Sequence, residues 1–163
     1  VKGFLRAIFG IPAGCGIKFG LLWRLGRLVG VNSSVPWPVH FTTTVRWARK
    51  VKLGARTFPG DSPNCYINAQ NGIIIGDDVN LGPGVGLVSA NHDATDNSRY
   101  TKNPPIRLGA RSWIGMNAVI LPGVELGENT IVGAGAVVTK SFPEGYQVIA
   151  GNPARVVKKV EKK

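Results

Sequence analysis

The chain has 163 residues, 44% of them apolar, and 20 Lys or Arg against 9 Asp or Glu, for a net charge of +11. Length and apolar content allow one domain with a continuous core and exclude a disordered chain. Two Cys and two His exclude a disulfide framework and a three-histidine zinc centre.

The charge is lopsided. Residues 1–60 carry ten bases and no acid, whereas residues 61–163 carry ten bases and nine acids. No nucleic-acid-binding module accompanies the basic third, so the expected partner is an anionic membrane surface or a phosphate-bearing substrate, and not nucleic acid. Residues 1–31 are expected to form a basic, apolar helical segment, distinct from a second unit at 32–163. Ile17, Leu21, Leu25 and Leu28 can share one helical face. The longest uncharged run, Ala7 to Ile17, is eleven residues with Pro12 and three glycines, too short to span a bilayer. No clear small-residue cleavage site follows it. Two readings of this segment stay open: a helix lying on the inner leaflet, or a helix that caps the next unit or touches another subunit.

A period of six then begins. Val35, Phe41, Trp47 and Leu53 lie six apart, and Val39, Val45, Val51 and Thr57 take the fifth place of each hexad. In this frame Trp47 faces the core. Trp37 and Trp47 also raise the idea of sugar stacking, but the inward position favours core for Trp47. His40 ends a hexad and has a structural or acceptor-side role. A Pro-Gly stretch, Phe58 to Pro63, breaks the phase. Cys65 falls in an apolar run and reads as a small buried residue, consistent with a reducing cytoplasm. Ile75, Leu81 and Leu87 open a second block. After an insert near 88–107 the third block runs without a miss through Leu108, Ile114, Ile120, Leu126, Val132 and Val138. Four residues after each come Ser112, Ala118, Val124, Thr130, Ala136 and Phe142.

A strict period of six fits neither an amphipathic helix nor a two-sided strand. It is a repeat whose chain turns a corner every six residues. The first aliphatic points inward, and the small fifth residue points inward where a corner leaves little room. Gly at the second place frees the bend.

These hexads resemble those of the hexapeptide-repeat transferases, the left-handed parallel β-helix acyltransferases, over roughly Val35 to Val160. The look is that of sugar and exopolysaccharide O-acetyltransferases of the maltose and galactoside type. The resemblance implies an all-β, left-handed parallel β-helix with three hexads per triangular turn and about five to six turns, a short N-terminal helical segment and a protruding loop near 88–107. The left-handed sense comes from the resemblance alone, since generic crossovers are right-handed.

It also implies a chemistry: acetyl-CoA-dependent O-acetylation of a hydroxyl on a sugar or glycan precursor, without metal, by a homotrimer with sites between subunits. Polar loops of this length inside a compact coil are usually functional, and this one contains His92. Taking a hydroxyl proton at neutral pH suits imidazole. The run Asn91-His92-Asp93 resembles the family's active-site segment, with His92 as general base. Asp93, Asp96 or a backbone carbonyl could orient it. Asn68, Asn80, Asn91 and Asp93 are the acceptor-side candidates.

For the donor, Trp113-Ile114-Gly115-Met116 resembles the stretch that flanks the cleft and meets the pantetheine arm. Met116 stands where relatives often have Ser, leaving backbone contacts there. Gly133, Ala134, Thr139 and Lys140 follow the pattern of the CoA groove. Asn152, Pro153, Arg155 and Lys158 resemble the family's C-terminal signature, with Arg155 and Lys158 placed to meet nucleotide phosphates. The expected location is the cytoplasm, with peripheral contact at the inner membrane. Two rivals differ in class: an acetyltransferase for an antibiotic or amino-acid hydroxyl, and a non-catalytic β-helix scaffold.

Overall fold

The computed structural model describes residues 2–162. Two helices, α1 (Lys2–Phe9) and α2 (Ile17–Leu28), precede the coil. The first coil holds β1 (Thr44–Arg46) and β2 (Val51–Leu53). The second holds β3 (Tyr66–Asn68), β4 (Ile73–Ile75) and β5 (Asn80–Leu81). The third holds β6 (Gly86–Val88), β7 (Ile106–Leu108) and β8 (Trp113–Ile114). The fourth holds β9 (Val119–Ile120), β10 (Glu125–Leu126) and β11 (Thr130–Val132). The last coil has β12 (Val137–Val138) and β13 (Gln147–Gly151), after which β14 (Ala154–Lys159) folds back antiparallel on β13.

Strands stack into three parallel faces: β1-β3-β6-β9-β12 on the first, β2-β4-β7-β10 on the second and β5-β8-β11-β13-β14 on the third, with only β14 antiparallel. This is a left-handed parallel β-helix of about five coils. Successive coils lie about 4.8 Å apart, the spacing of hydrogen-bonded strands.

The hexads explain the packing. Leu108, Ile114, Ile120, Leu126, Val132 and Val138 are all buried, and so are Ile75, Leu81 and Leu87. Each such side chain contributes about 1.5–3 kcal/mol by leaving water. The fifth-place residues point inward at the corners as expected, and the polar ones are satisfied. Thr130 Oγ1 donates to Gly127 O at 2.7 Å, and Ser112 Oγ accepts from Thr130 N at 3.2 Å. Thr57 does the same at this corner in the first coil, donating to Gly76 O and accepting from Val79 N. Gly at the second place meets a stricter need than freedom at a bend. A Cβ at Gly115 would lie 2.6 Å from Val132 O, inside the next coil's backbone.

The first block departs from its expected frame. Trp47 is 52% exposed and Phe41 73% exposed, so neither is core. A 3-10 turn at Ala48–Lys50 adds residues between β1 and β2. The true inward residues are Val45, in register with Ile67, and Leu53, in register with Ile75. Trp37 is buried, with its Nε1 donating to Pro59 O at 2.9 Å, and is not available to stack on a sugar.

The helical face drawn through Ile17, Leu21, Leu25 and Leu28 is also not the packed one, for Leu25 and Leu28 are exposed. The buried positions of α2 are Gly20 and Trp23. Gly20 faces Ile11 so closely that a Cβ would lie 2.5 Å from its Cγ2. Trp23 then joins Val35, Trp37, Val39 and Ala48 in a small cluster that covers the end of the coil.

Candidate active site

The insert leaves the coil at the corner between the first and second faces, after β6, and rejoins it at β7. It is an ordered hairpin. His92 bridges Tyr100 antiparallel, Asp93 N donates to Arg99 O at 2.9 Å, and Thr101 N donates to Asn91 O at 2.8 Å. Two aspartates fold its tip. Asp93 Oδ1 accepts from the amide and hydroxyl of Thr95, and Asp96 Oδ1 accepts from those of Ser98. These bonds, the Thr95 and Ser98 hydroxyls first, hold both carboxyls below the usual range. Asp96 also pairs with Arg99 at 2.9 Å.

His92 is exposed and its ring lies 4.3 Å from that of Tyr100. Its Nδ1 is 2.6 Å from Asn97 O. A carbonyl only accepts, so Nδ1 carries the proton and neutral His92 presents Nε2 as a bare base. Of the three groups weighed as orienter, the structure supplies the backbone carbonyl. Asp93 turns into its own loop.

Asn71 was not among the sequence candidates. Its Nδ2 donates to Ser89 O and to Thr101 O, both at 2.9 Å, and its backbone N donates to Ser89 Oγ. It therefore ties both ends of the hairpin to the coil below. The bond crosses coils, which a linear reading cannot register. Asn68 is buried on β3, in register with Val88 at the base of the insert, with its Oδ1 accepting from Gln70 N. Asn91 is exposed at the hairpin's start.

The remaining candidates gather elsewhere. Across the third face Asn80, Trp113, Ile131, Val148 and Lys158 are aligned strand by strand. Inward Ile149 is buried, so its neighbours Val148 and Ala150 point outward. Lys158 pairs with Val148 and Arg155 with Ala150, across a register shift between Val148 and Ile149. Residues three apart on a regular strand face opposite ways. The bulge turns Arg155 and Lys158 to the same, outer side. Asn80 joins Trp113 in this row and not the His92 hairpin.

At the edge of that face, the corner leading to the first face, the turns carrying Gly115, Met116, Gly133 and Ala134 stack on one another. Gly115 N donates to Val132 O, and Gly135 N donates to Met116 O, each at 2.8 Å. Trp113 and Met116 stand out from it, 55% and 52% exposed. Asn152 and Pro153 form the β13–β14 turn at the end of the same edge. This is a narrow track of small residues with free-standing cations at one end, suited to a thin chain ending in phosphates. Thr139 and Lys140 lie apart from it, after β12 at the corner that carries the hairpin. The fold thus places His92 at one corner and most donor candidates at another. Among the described residues no cluster of three or more His, Cys, Asp or Glu could hold a metal.

Residues 105–140 match the bacterial transferase hexapeptide family (six repeats). Over 107 residues the chain is 35% identical to nodulation protein L of Rhizobium leguminosarum bv. viciae, covering 64% of this chain and 53% of that protein. The chain therefore spans about half the length of this curated relative. It superposes on a maltose O-acetyltransferase from Clostridium difficile 630 with a TM-score of 0.64 at 35% identity, covering 74% of this chain and 64% of that one. A galactoside acetyltransferase in complex with coenzyme A is similar with a TM-score of 0.69 at 29% identity, over 77% of this chain and 62% of that one.

Proposed function

From a chain that belongs with the hexapeptide-repeat transferases in repeat and fold, we propose an acetyl-CoA-dependent O-acetyltransferase acting on a hydroxyl of a sugar or glycan precursor. The observation that carries the reading is the Asn97 carbonyl on His92 Nδ1, which leaves Nε2 bare on a braced hairpin. His92 Nε2 takes the proton of the acceptor hydroxyl as its oxygen attacks the thioester carbonyl. The C–S bond then breaks, and the imidazolium returns the proton to the departing thiolate. Outer-face Trp113, the Gly115–Met116 and Gly133–Ala134 turns, and the Asn152–Pro153 turn hold the donor. Arg155 and Lys158 take its phosphates, and Thr139 and Lys140 serve it from the hairpin's corner.

The separation of His92 from the small-residue track supports a homotrimer. Around a three-fold axis the contact is heterologous, so one copy's hairpin corner meets the other corner of its neighbour. Asn68, Asn91 and Asp93 then stand on the acceptor side, with Asn80 on the donor side beside Trp113. No helix among the described residues is long and apolar enough to cross a membrane. Leu22, Leu25, Leu28 and Val29 project outward among Arg and Lys side chains, which supports peripheral contact of α2 with an anionic leaflet, from the cytoplasmic side.

The deciding measurement is acetyl transfer from acetyl-CoA to a panel of mono- and oligosaccharides and their nucleotide and lipid-linked forms, read by mass. An acetylated sugar that disappears with His92→Ala is the expected result. Absence of both turnover and acetyl-CoA binding would leave a scaffold.

A further inference from the structure

A cavity of about 270 Å³ opens between α2 and the first coil, walled by Phe19, Leu22, Trp23, Gly26, Val39 and Phe41. The polar residues at its edge are spoken for. Asn32 Nδ2 donates to His40 O and Thr43 O at 3.2 Å, and His40 Nδ1 lies 2.8 Å from Thr42 Oγ1. What the cavity offers is hydrocarbon surface.

Trp23 is shared with a wider groove of about 730 Å³, lined also by Arg24 and Arg27. Their guanidinium carbons lie 5.4 and 5.1 Å from the Trp23 ring centroid. Arg24 donates to Gly10 O and Arg27 to Val35 O, each at 3.0 Å, which fixes both forks. Neither forms an ion pair with a carboxylate among the described residues, and residues 1–60 contain no acid at all. Trp23 is 7% exposed, and its ring is the wall that the cavity and the groove share. The two fixed cations over that ring suit the groove to an anion, and the cavity on its other flank suits an apolar chain.

We infer that the N-terminal cap binds a phosphate ester of a long hydrocarbon chain, the chain in the apolar cavity and the phosphate against Arg24 and Arg27. Such a ligand satisfies both halves at once. A neutral amphiphile leaves the forks empty, and a soluble phosphate leaves the cavity wet. The site shares no residue with His92 or the small-residue track, and it is narrower than leaflet contact by α2, because it takes one molecule without a bilayer. The same chemistry can come from a leaflet phospholipid or from an isoprenoid anchor on the acceptor.

Calorimetry with the full chain tests it, using farnesyl phosphate and lysophosphatidylglycerol below their micelle concentrations, with farnesol and inorganic phosphate as controls. One phosphate ester should bind once per chain, at least about tenfold tighter than farnesol, the gain from charge-assisted hydrogen bonds. Inorganic phosphate should give no comparable heat. Tighter farnesyl phosphate assigns the site to an isoprenoid anchor, and tighter lysolipid to a leaflet. Arg24→Gln with Arg27→Gln should bring the phosphate ester down to farnesol's affinity.

Gly26→Leu guards against misfolding as an explanation. A Cβ there meets only Val31 at 3.6 Å, an ordinary contact, and Leu favours a helix over Gly. This variant should fold at least as well as wild type and lose the ligand, because its side chain fills the cavity. The inference fails if Gly26→Leu binds like wild type, if the phosphate adds nothing to farnesol's affinity, or if no ester binds.

Discussion

His92 Nδ1 and the carbonyl oxygen of Asn97 lie 2.6 Å apart, five residues along one hairpin. The bond fixes the tautomer from within the loop, so the base needs no carboxylate partner to be oriented. His92→Ala should then lower turnover by about two to four orders of magnitude, the range for loss of a general base. Acetyl-CoA affinity should hardly change, since the base acts on the acceptor. Single-turnover rates with calorimetry on the same variant check both, and a near-wild-type rate would move the base elsewhere.

Asn71 holds Ser89 O and Thr101 O from the coil beneath. Asn71→Ala frees the hairpin's base without touching His92. Misplacing a catalytic group by about 1 Å can cost about 100-fold, so the expected loss is of that order in kcat, with the melting temperature little changed. Hydrogen exchange at residues 89–101 should quicken in the variant while β9 to β12 stay protected. A rate loss with unchanged loop exchange would argue that Asn71 acts on substrate directly.

Acid should loosen the same hairpin. Asp93 and Asp96 are held below the ordinary carboxylate range by Thr95 and Ser98, whereas an unfolded Asp titrates near pH 3.9. The unfolded loop therefore binds more protons in that window. The loop's stabilisation is complete above about pH 5 and is lost as pH falls through the lowered native values. The amide resonances of Thr95 and Ser98 should titrate with midpoints below the ordinary Asp value. Midpoints at or above it would show that the caps do not form in solution.

Much of the coil is written in the chain, because inward positions at a fixed period leave a pattern that composition cannot hide. Ile75 to Val138 follow it closely. The first block misleads because Leu53 truly is inward and Val35 is buried, while the residues between them, Phe41 and Trp47, are displaced by the 3-10 turn at Ala48–Lys50. An aromatic at the right spacing therefore imitates core. The place of His92 was legible, because it is the insert's single histidine and the structure sets it on that hairpin. The site was not legible where partners come from different coils, as with Asn71, or where a bulge decides direction, as with Lys158. The packed side of α2 was hidden too, since Gly20 contributes by absence and Trp23 stands off the aliphatic stripe.

If the site is shared, two dead copies should make a live one. His92→Ala removes the base at one corner, and Ala134→Trp blocks the small-residue track at the other, where Ala134 is exposed and a large ring can be carried. Each variant alone should be inactive. Mixed trimers contain an interface with an intact hairpin and an intact track, so co-expression should restore measurable turnover. No recovery, with mixing verified by native mass spectrometry, would place the whole site within one chain, and a monomer by light scattering would remove the trimer itself.

Arg155 and Lys158 should act on affinity and not on the chemical step. The bulge between Val148 and Ile149 brings them to one outer side, at the far end of the row through Trp113. A phosphate met there lies far from the thioester, and its contacts are the same in ground and transition states. Interactions of that kind change apparent binding without changing kcat. Loss of one charge-assisted hydrogen bond costs about 1.5–3 kcal/mol, or roughly ten- to hundredfold in Kd. Arg155→Gln and Lys158→Gln should each weaken acetyl-CoA by about that factor while saturated turnover is kept. The two need not meet the same phosphate. Dephospho-CoA separates them: a variant that has already lost the ribose-phosphate contact should bind it no worse than wild type does, whereas one that has lost a pyrophosphate contact should fall further. If neither substitution weakens acetyl-CoA, the outer side of β14 is only a charged edge and the nucleotide end of the donor lies elsewhere.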